Sequence, residues 1–153
     1  MSESTASIPS LLATHPLPWS GVLDALLQQF DCTTGTIHLV SEDEKILTLA
    51  AQCNIPAHLH AVIGTIPVGK GVAGIAAQRR EPVQICNLQT DSSGVARPAA
   101  KETKVEGSIA VPVLANGRLL AVFGIAKPIA HEFTEDEITQ LKAIAAEIGN
   151  ALL

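Results

Sequence analysis

The sequence has no tyrosine, one tryptophan, three phenylalanines and one methionine among its 153 residues. Proteins that stack single-stranded nucleic acid on aromatic platforms need more rings than this, and those that grip phosphates need a basic footprint. The formal net charge is -5, and Arg97, Lys101, Lys104 and Arg118 interleave with acids. Nucleic acid is therefore not expected as a partner. Long apolar runs are lacking as well. The opening MSESTASIPSLLATHPLP has no basic segment, and its longest apolar run, Leu11-Leu12-Ala13, is too short for a signal peptide or a membrane span. Residues 1–17 are read as a flexible arm and 18–153 as a single cytoplasmic domain that meets no membrane. Cysteine is scarce too. Cys32, Cys53 and Cys86 are odd in number, far apart and without a C-x-x-C spacing, which supports neither a disulfide framework nor a zinc ribbon. They are read as reduced, half-buried thiols.

What the sequence does hold is apolar material in regular patterns. A hydrophobic share of 47% against 16% charged residues is that of a chain with a packed core. Trp19, Val22, Leu23, Leu26, Leu27 and Phe30 fall on one helical stripe, which predicts a helix over 18–29 opened by Pro18. Residues 33–40 and 45–51 are alternating or β-branched runs around the acidic turn Ser41-Glu42-Asp43-Glu44, a hairpin pattern. Pro56 opens a short helix over 57–62, and 65–68 reads as a strand. A helix over 71–80 stops before Pro82, and 83–87 reads as a further strand. Residues 108–114 and 118–126 are joined at Ala115-Asn116-Gly117, and Asn-Gly between apolar runs is a strong hairpin signal. Thr134 and Glu137 form a T-x-x-E capping box ahead of the stripe Ile138, Leu141, Ile144, Ala145, Ile148 and Leu152. The whole describes an α+β domain, an antiparallel sheet with flanking helices at both ends of the chain.

Gly69-x-Gly71-x-x-Gly74 has the spacing of a dinucleotide-binding turn. A Rossmann unit needs a long helix after that turn and a parallel strand beyond it. Here the helix is barely three turns long, and the elements that follow form an antiparallel hairpin. The glycines are read as a tight turn with close helix–strand packing. His58-x-His60, with Cys53 nearby, is the one stretch that imitates a metal cluster. On a helix, positions i and i+2 diverge, so no metal site is assigned.

The stretch "IPVGKGVAGIAAQRREPVQICNL" resembles the centre of a GAF domain. "SIAVPVLANGRLLAVFGIAKP" resembles that family's late hairpin, and "HEFTEDEITQLKAIAAEIGNALL" its closing helix. Over 18–153 the resemblance implies a GAF-like, PAS-related antiparallel sheet with helices on one face and a ligand pocket on the other. One branch of the family reduces free methionine-R-sulfoxide, using cysteine thiols and carboxylates. At the positions where that pattern expects cysteines this sequence has Ile63 and Ala73. Where it expects acids it has Ser108, Gly124 and Ala126, and the stretch 89–106 supplies no cysteine. Cys86 alone lies near enough to serve as a substitute thiol, so the reductase reading, or a degenerate scaffold derived from it, is the alternative to a non-enzymatic one. No cysteine is followed by histidine, as in the bilin-binding members. The cyclic-nucleotide signature lacks its asparagine, since Ala126-Lys127 stands where Asn-Lys is expected.

The reading that follows is a sensory or regulatory domain that binds a small molecule, not an enzyme. Its cofactor, if it holds one, is not identified by the sequence. The expected pocket walls are the sheet face bearing His38 and Val40, the strand end at Cys86-Asn87, and Ser108. The polar, irregular stretch 89–106 is expected to close over them, offering Asp91, Ser92, Ser93, Arg97 and Glu106. Arg97 suits an anionic ligand. With the chain ending inside its last helix, the signal is expected to pass through a homodimer of the terminal helices or through a separate signalling protein.

Overall fold

The computed structural model describes residues 7–14, 17–91 and 102–153. Six strands form one sheet in the order β3-β2-β1-β6-β5-β4, and every neighbouring pair is antiparallel. The strands are β1 (Thr34–Val40), β2 (Ile46–Cys53), β3 (Thr65–Pro67), β4 (Val83–Ile85), β5 (Gly107–Ala115) and β6 (Arg118–Lys127). The described helices include α1 (Ile8–Leu12), α2 (Trp19–Gln29), α3 (His60–Ile63), α4 (Gly71–Arg79) and α5 (Glu135–Leu152), with a 3-10 turn over Ala57–Leu59.

Period-two alternation along the strands divides the interior in two. Ile109, Val111 and Val113 of β5 and Ala121, Phe123 and Ile125 of β6 point to one face, where α2, α5 and α1 cover them. Ala110 and Val122, one residue out of phase, point to the other face and pack with Ala76 and Ala77 of α4. A third small cluster joins Ile85, Leu88, Val105 and Ala126. The β5–β6 hairpin closes on Asn116-Gly117 with φ of 53° and 75°, the doubly positive pair whose twist matches the strands.

α5 starts as its sequence demands. Thr134 accepts from the Glu137 N–H at 3.1 Å, and the Glu137 carboxylate accepts from the Thr134 N–H at 2.9 Å. The other end of α2 is stopped from outside. Lys127 is buried, and its ammonium donates to the carbonyls of Phe30 at 2.7 Å and Asp31 at 3.0 Å, placing a cation on the negative end of the helix.

Two expectations change. The arm ahead of α2 is ordered in part: α1 is capped by Ser7 and carries Pro9 in its first turn, and Ile8 and Leu12 are buried in the main core. Ile8 and Leu12 stand at i and i+4, so one short turn presents both to α2 and α5. The strand expected over 83–87 ends at Ile85, where pairing with β5 stops.

Candidate functional site

The glycine stretch sets the site. Gly69 has φ of 96° and Gly71 of 71°, and the Gly69 N–H donates to the Gly74 carbonyl at 2.8 Å. A Cβ on Gly74 would lie 2.7 Å from the Pro67 carbonyl oxygen, so the third glycine lets α4 return against β3. The turn is the tight one expected, and it has a second consequence. The first turn of α4 opens onto a cavity of about 150 Å³ held between α4, α3 and the sheet. Lys70, the N-cap residue, is extended and makes no side-chain cap, so the first amides of α4 carry their partial positive charge toward this space.

Most of the wall is apolar: Ile55, Val62, Ile66, Val72, Leu88 and Val105 contribute, with Thr34, Thr36, Thr103, Ser108 and the cationic Lys70 as polar points. His38 is the polar residue set deepest, at 1% exposure. A bulge between Ile37 and His38, where Ala50 of β2 is left over, interrupts the β1–β2 ladder beside it. The His38 Nε2–H donates to the Ile63 carbonyl at the end of α3, at 2.8 Å. Its Nδ1 is buried and has no hydrogen-bond partner among the described residues. Burial holds the imidazole below its ordinary pKa, only partly offset by the bond to Ile63.

The residues expected at the site separate into three groups. His38 and Ser108 line the cavity together. Cys86, Asn87 and Asp91 do not. They border a different surface cleft with Arg79 and Thr90. In β4 the strand period turns Val83 and Ile85 into the buried clusters and Gln84 away from them, and Cys86, just beyond the end of the strand, is exposed. Gln84 there exchanges hydrogen bonds with the Phe133 backbone, and the Cys86 carbonyl accepts from the His131 N–H at 3.0 Å. Val40 packs with the α4 cluster, outside the described wall. Glu106 lies outside the described wall; its N–H donates to the Lys127 carbonyl and its own carbonyl accepts from Leu88. Arg97, Ser92 and Ser93 lie outside the described residues. The first turn of α4, Gly71 to Ala73, lines the cavity in addition to the expected walls. Its signal was the G-x-G-x-x-G spacing, which marks a helix N-terminus approached closely by its neighbours even where no dinucleotide is bound.

No cysteine and no carboxylate stands among the described wall residues. Cys32 is buried, which pushes its thiol up to about 11 against a modest opposing pull from Lys127. Desolvation raises Cys53 as well, and both are poor thiolate sources at neutral pH. Cys86 is exposed and is not among the described wall residues. The positions where the reductase pattern expects cysteines and acids, namely Ile63, Ala73, Ser108, Gly124 and Ala126, all border the cavity. The histidine pair diverges: His58 meets Glu102 at 3.1 Å, and His60 donates to the Ile55 carbonyl at 2.8 Å. Among the described residues no group of three potential metal ligands converges, and no helix is long and apolar enough to cross a membrane.

Comparisons with known proteins agree with this architecture. No curated protein matches the sequence. Free methionine-R-sulfoxide reductase from Neisseria meningitidis, solved with its substrate, superposes with a TM-score of 0.76 at 20% identity, over 94% of this chain and 83% of that one. The GAF domain of a phosphoenolpyruvate-protein phosphotransferase from Coxiella burnetii gives 0.74 at 20% identity, over 95% and 90%. A domain of a putative two-component sensor histidine kinase protein from Sinorhizobium meliloti 1021 gives 0.70 at 18%, over 91% and 92%. At these identities the likeness is one of fold. The family profile described as GAF domain matches residues 20–153, and with that match the chain belongs to the GAF domain family.

Proposed function

We propose that this GAF domain is a non-catalytic regulatory module that binds a small molecule in the cavity between α4 and the sheet. The observation that carries the reading is the character of five wall positions. Ile63, Ala73, Ser108, Gly124 and Ala126 border the cavity where the reductase pattern has its thiols and acids. The reductase's covalent route needs a thiolate at the substrate, and none of these side chains is a thiol. What is left is a largely apolar, sheltered space with a few polar points, the usual constitution of a binding site. The likeness to the GAF domain of a phosphotransferase and to a domain of a putative sensor histidine kinase protein supports a regulatory role. Output through a homodimer of α2 and α5, or through a signalling partner in the cytoplasm, belongs to the same proposal.

Native mass spectrometry of freshly purified protein tests it. A mass exceeding the denatured mass by a small, displaceable adduct is the expected result. The reductase alternative is tested beside it with free methionine-R-sulfoxide and a dithiol reductant. Turnover that disappears in Cys86→Ser would overturn the non-catalytic reading; no turnover in either protein supports it.

A further inference from the structure

Resting on the reading of the cavity as a ligand site, we infer that His38 selects the ligand by its hydrogen-bond donor. The cavity takes a small molecule with an apolar body and a neutral N–H or O–H, which His38 Nδ1 accepts. A carbonyl or carboxylate oxygen of the same molecule faces the first turn of α4.

The tautomer of His38 follows from its partner. Ile63 O is a carbonyl and can only accept, so the proton resides on Nε2 and Nδ1 presents a bare lone pair. That lone pair is buried on a residue 1% exposed and unmatched among the described residues, in the wall of a cavity. Buried acceptors are rarely left so, and the cavity that His38 borders is the space from which a donor can come. The opposite polarity is supplied by α4, whose uncapped first turn, Gly71 to Ala73, borders the same cavity and favours an oxygen. A charged ammonium donor is disfavoured. No carboxylate stands among the described wall residues, and an unpaired ammonium is costly to strip of water. An amide or hydroxyl meets His38 without that cost. The volume, about 150 Å³, is of the order that holds a benzene-sized molecule. The rest of the wall, including Val62, Ile66, Val72 and Val105, suits a branched aliphatic body.

A pair of probes of one shape isolates the donor. Isovaleramide and 4-methyl-2-pentanone differ only by an amide nitrogen in place of a methyl carbon, and both carry the carbonyl. Titration by NMR is expected to show the amide binding about ten-fold more tightly, the factor that one well-made hydrogen bond supplies. In His38→Phe the preference should vanish. Because that variant also loses the bond to Ile63, a second readout uses the unaltered protein: saturating amide should move the His38 Nδ1 nitrogen resonance, and the ketone should not. Equal affinities, or an Nδ1 resonance indifferent to bound amide, would overturn the inference and leave a buried water as the partner of Nδ1. Binding of neither probe would overturn it too. An adduct in the native mass spectrum would then still uphold the cavity as a ligand site of other chemistry.

Discussion

At the scale of the residue, Gly74 and His38 show how one local constraint produces a site. Gly74 is not free to be anything else: a methyl group there meets the Pro67 carbonyl oxygen at 2.7 Å and the Gly69 nitrogen at 3.2 Å, both backbone atoms that cannot turn aside. Gly74→Ala should therefore cost about 1–3 kcal/mol, the range for forcing a carbon into closed space. Urea unfolding measures it, and an unchanged midpoint would show that α4 can slide along β3. The same closeness holds α4's first turn at the cavity, so the variant should also weaken whatever the cavity binds. His38 was placed by alternation alone, opposite Ile37 and Leu39, and that reading carries over to the structure. What alternation does not provide is the wall opposite the sheet. Ile55, Leu88 and Val105 come from irregular segments whose sequence has no period to read, and Val62 from the four-residue α3.

At the scale of the element, the long periodic stretches are legible, the short segments 57–62, 65–68 and 83–87 are legible to within a few residues, and α1 is not. α2, α5 and both hairpins carry their own signals: stripes of six apolar residues, a capping box and an Asn-Gly turn. α1 has five residues, too few for a stripe, and it hides in a Ser- and Pro-rich stretch that reads as an arm. Its signals were nevertheless present, with Ser7 at the cap, Pro9 in the first turn, and Ile8 and Leu12 one turn apart. The burial of Leu12 distinguishes the two readings experimentally. Leu12→Ala should lower stability by about 2 kcal/mol if the side chain is packed under α2 and α5 as described. In a free arm the same change stays within about 0.5 kcal/mol. Thermal unfolding of the full chain, beside a Thr14→Ala control at a position exposed to solvent, reads the difference directly.

At the scale of the whole molecule, two buried titratable groups on opposite faces of the sheet bound the pH range of stability. Burial pushes the His38 imidazole down, so below about 6.5 the unfolded chain takes up a proton that the folded one resists. Stability is full above that pH and declines as the pH falls toward the lower, folded value. Cys32 works in the other direction. Its burial, against the opposing charge of Lys127, raises the thiol from an ordinary 9.0 to about 11. Above pH 9 the unfolded chain gives up this proton while the folded chain keeps it, so stability present below 9 is lost as the pH rises through about 11. At the upper end the loss from this one thiol is on the order of 2–3 kcal/mol. The measurement is the urea midpoint at steps from pH 7 to 11 in the parent and in Cys32→Ala. Alanine creates a small void and lowers the whole curve, so the comparison is of slopes rather than heights. The variant's decline between pH 9 and 11 should be shallower than the parent's by roughly the thiol's contribution. Parallel declines would mean that Cys32 ionises as freely in the folded protein as in the unfolded, and that the α2 side of the sheet admits water the packing there does not suggest.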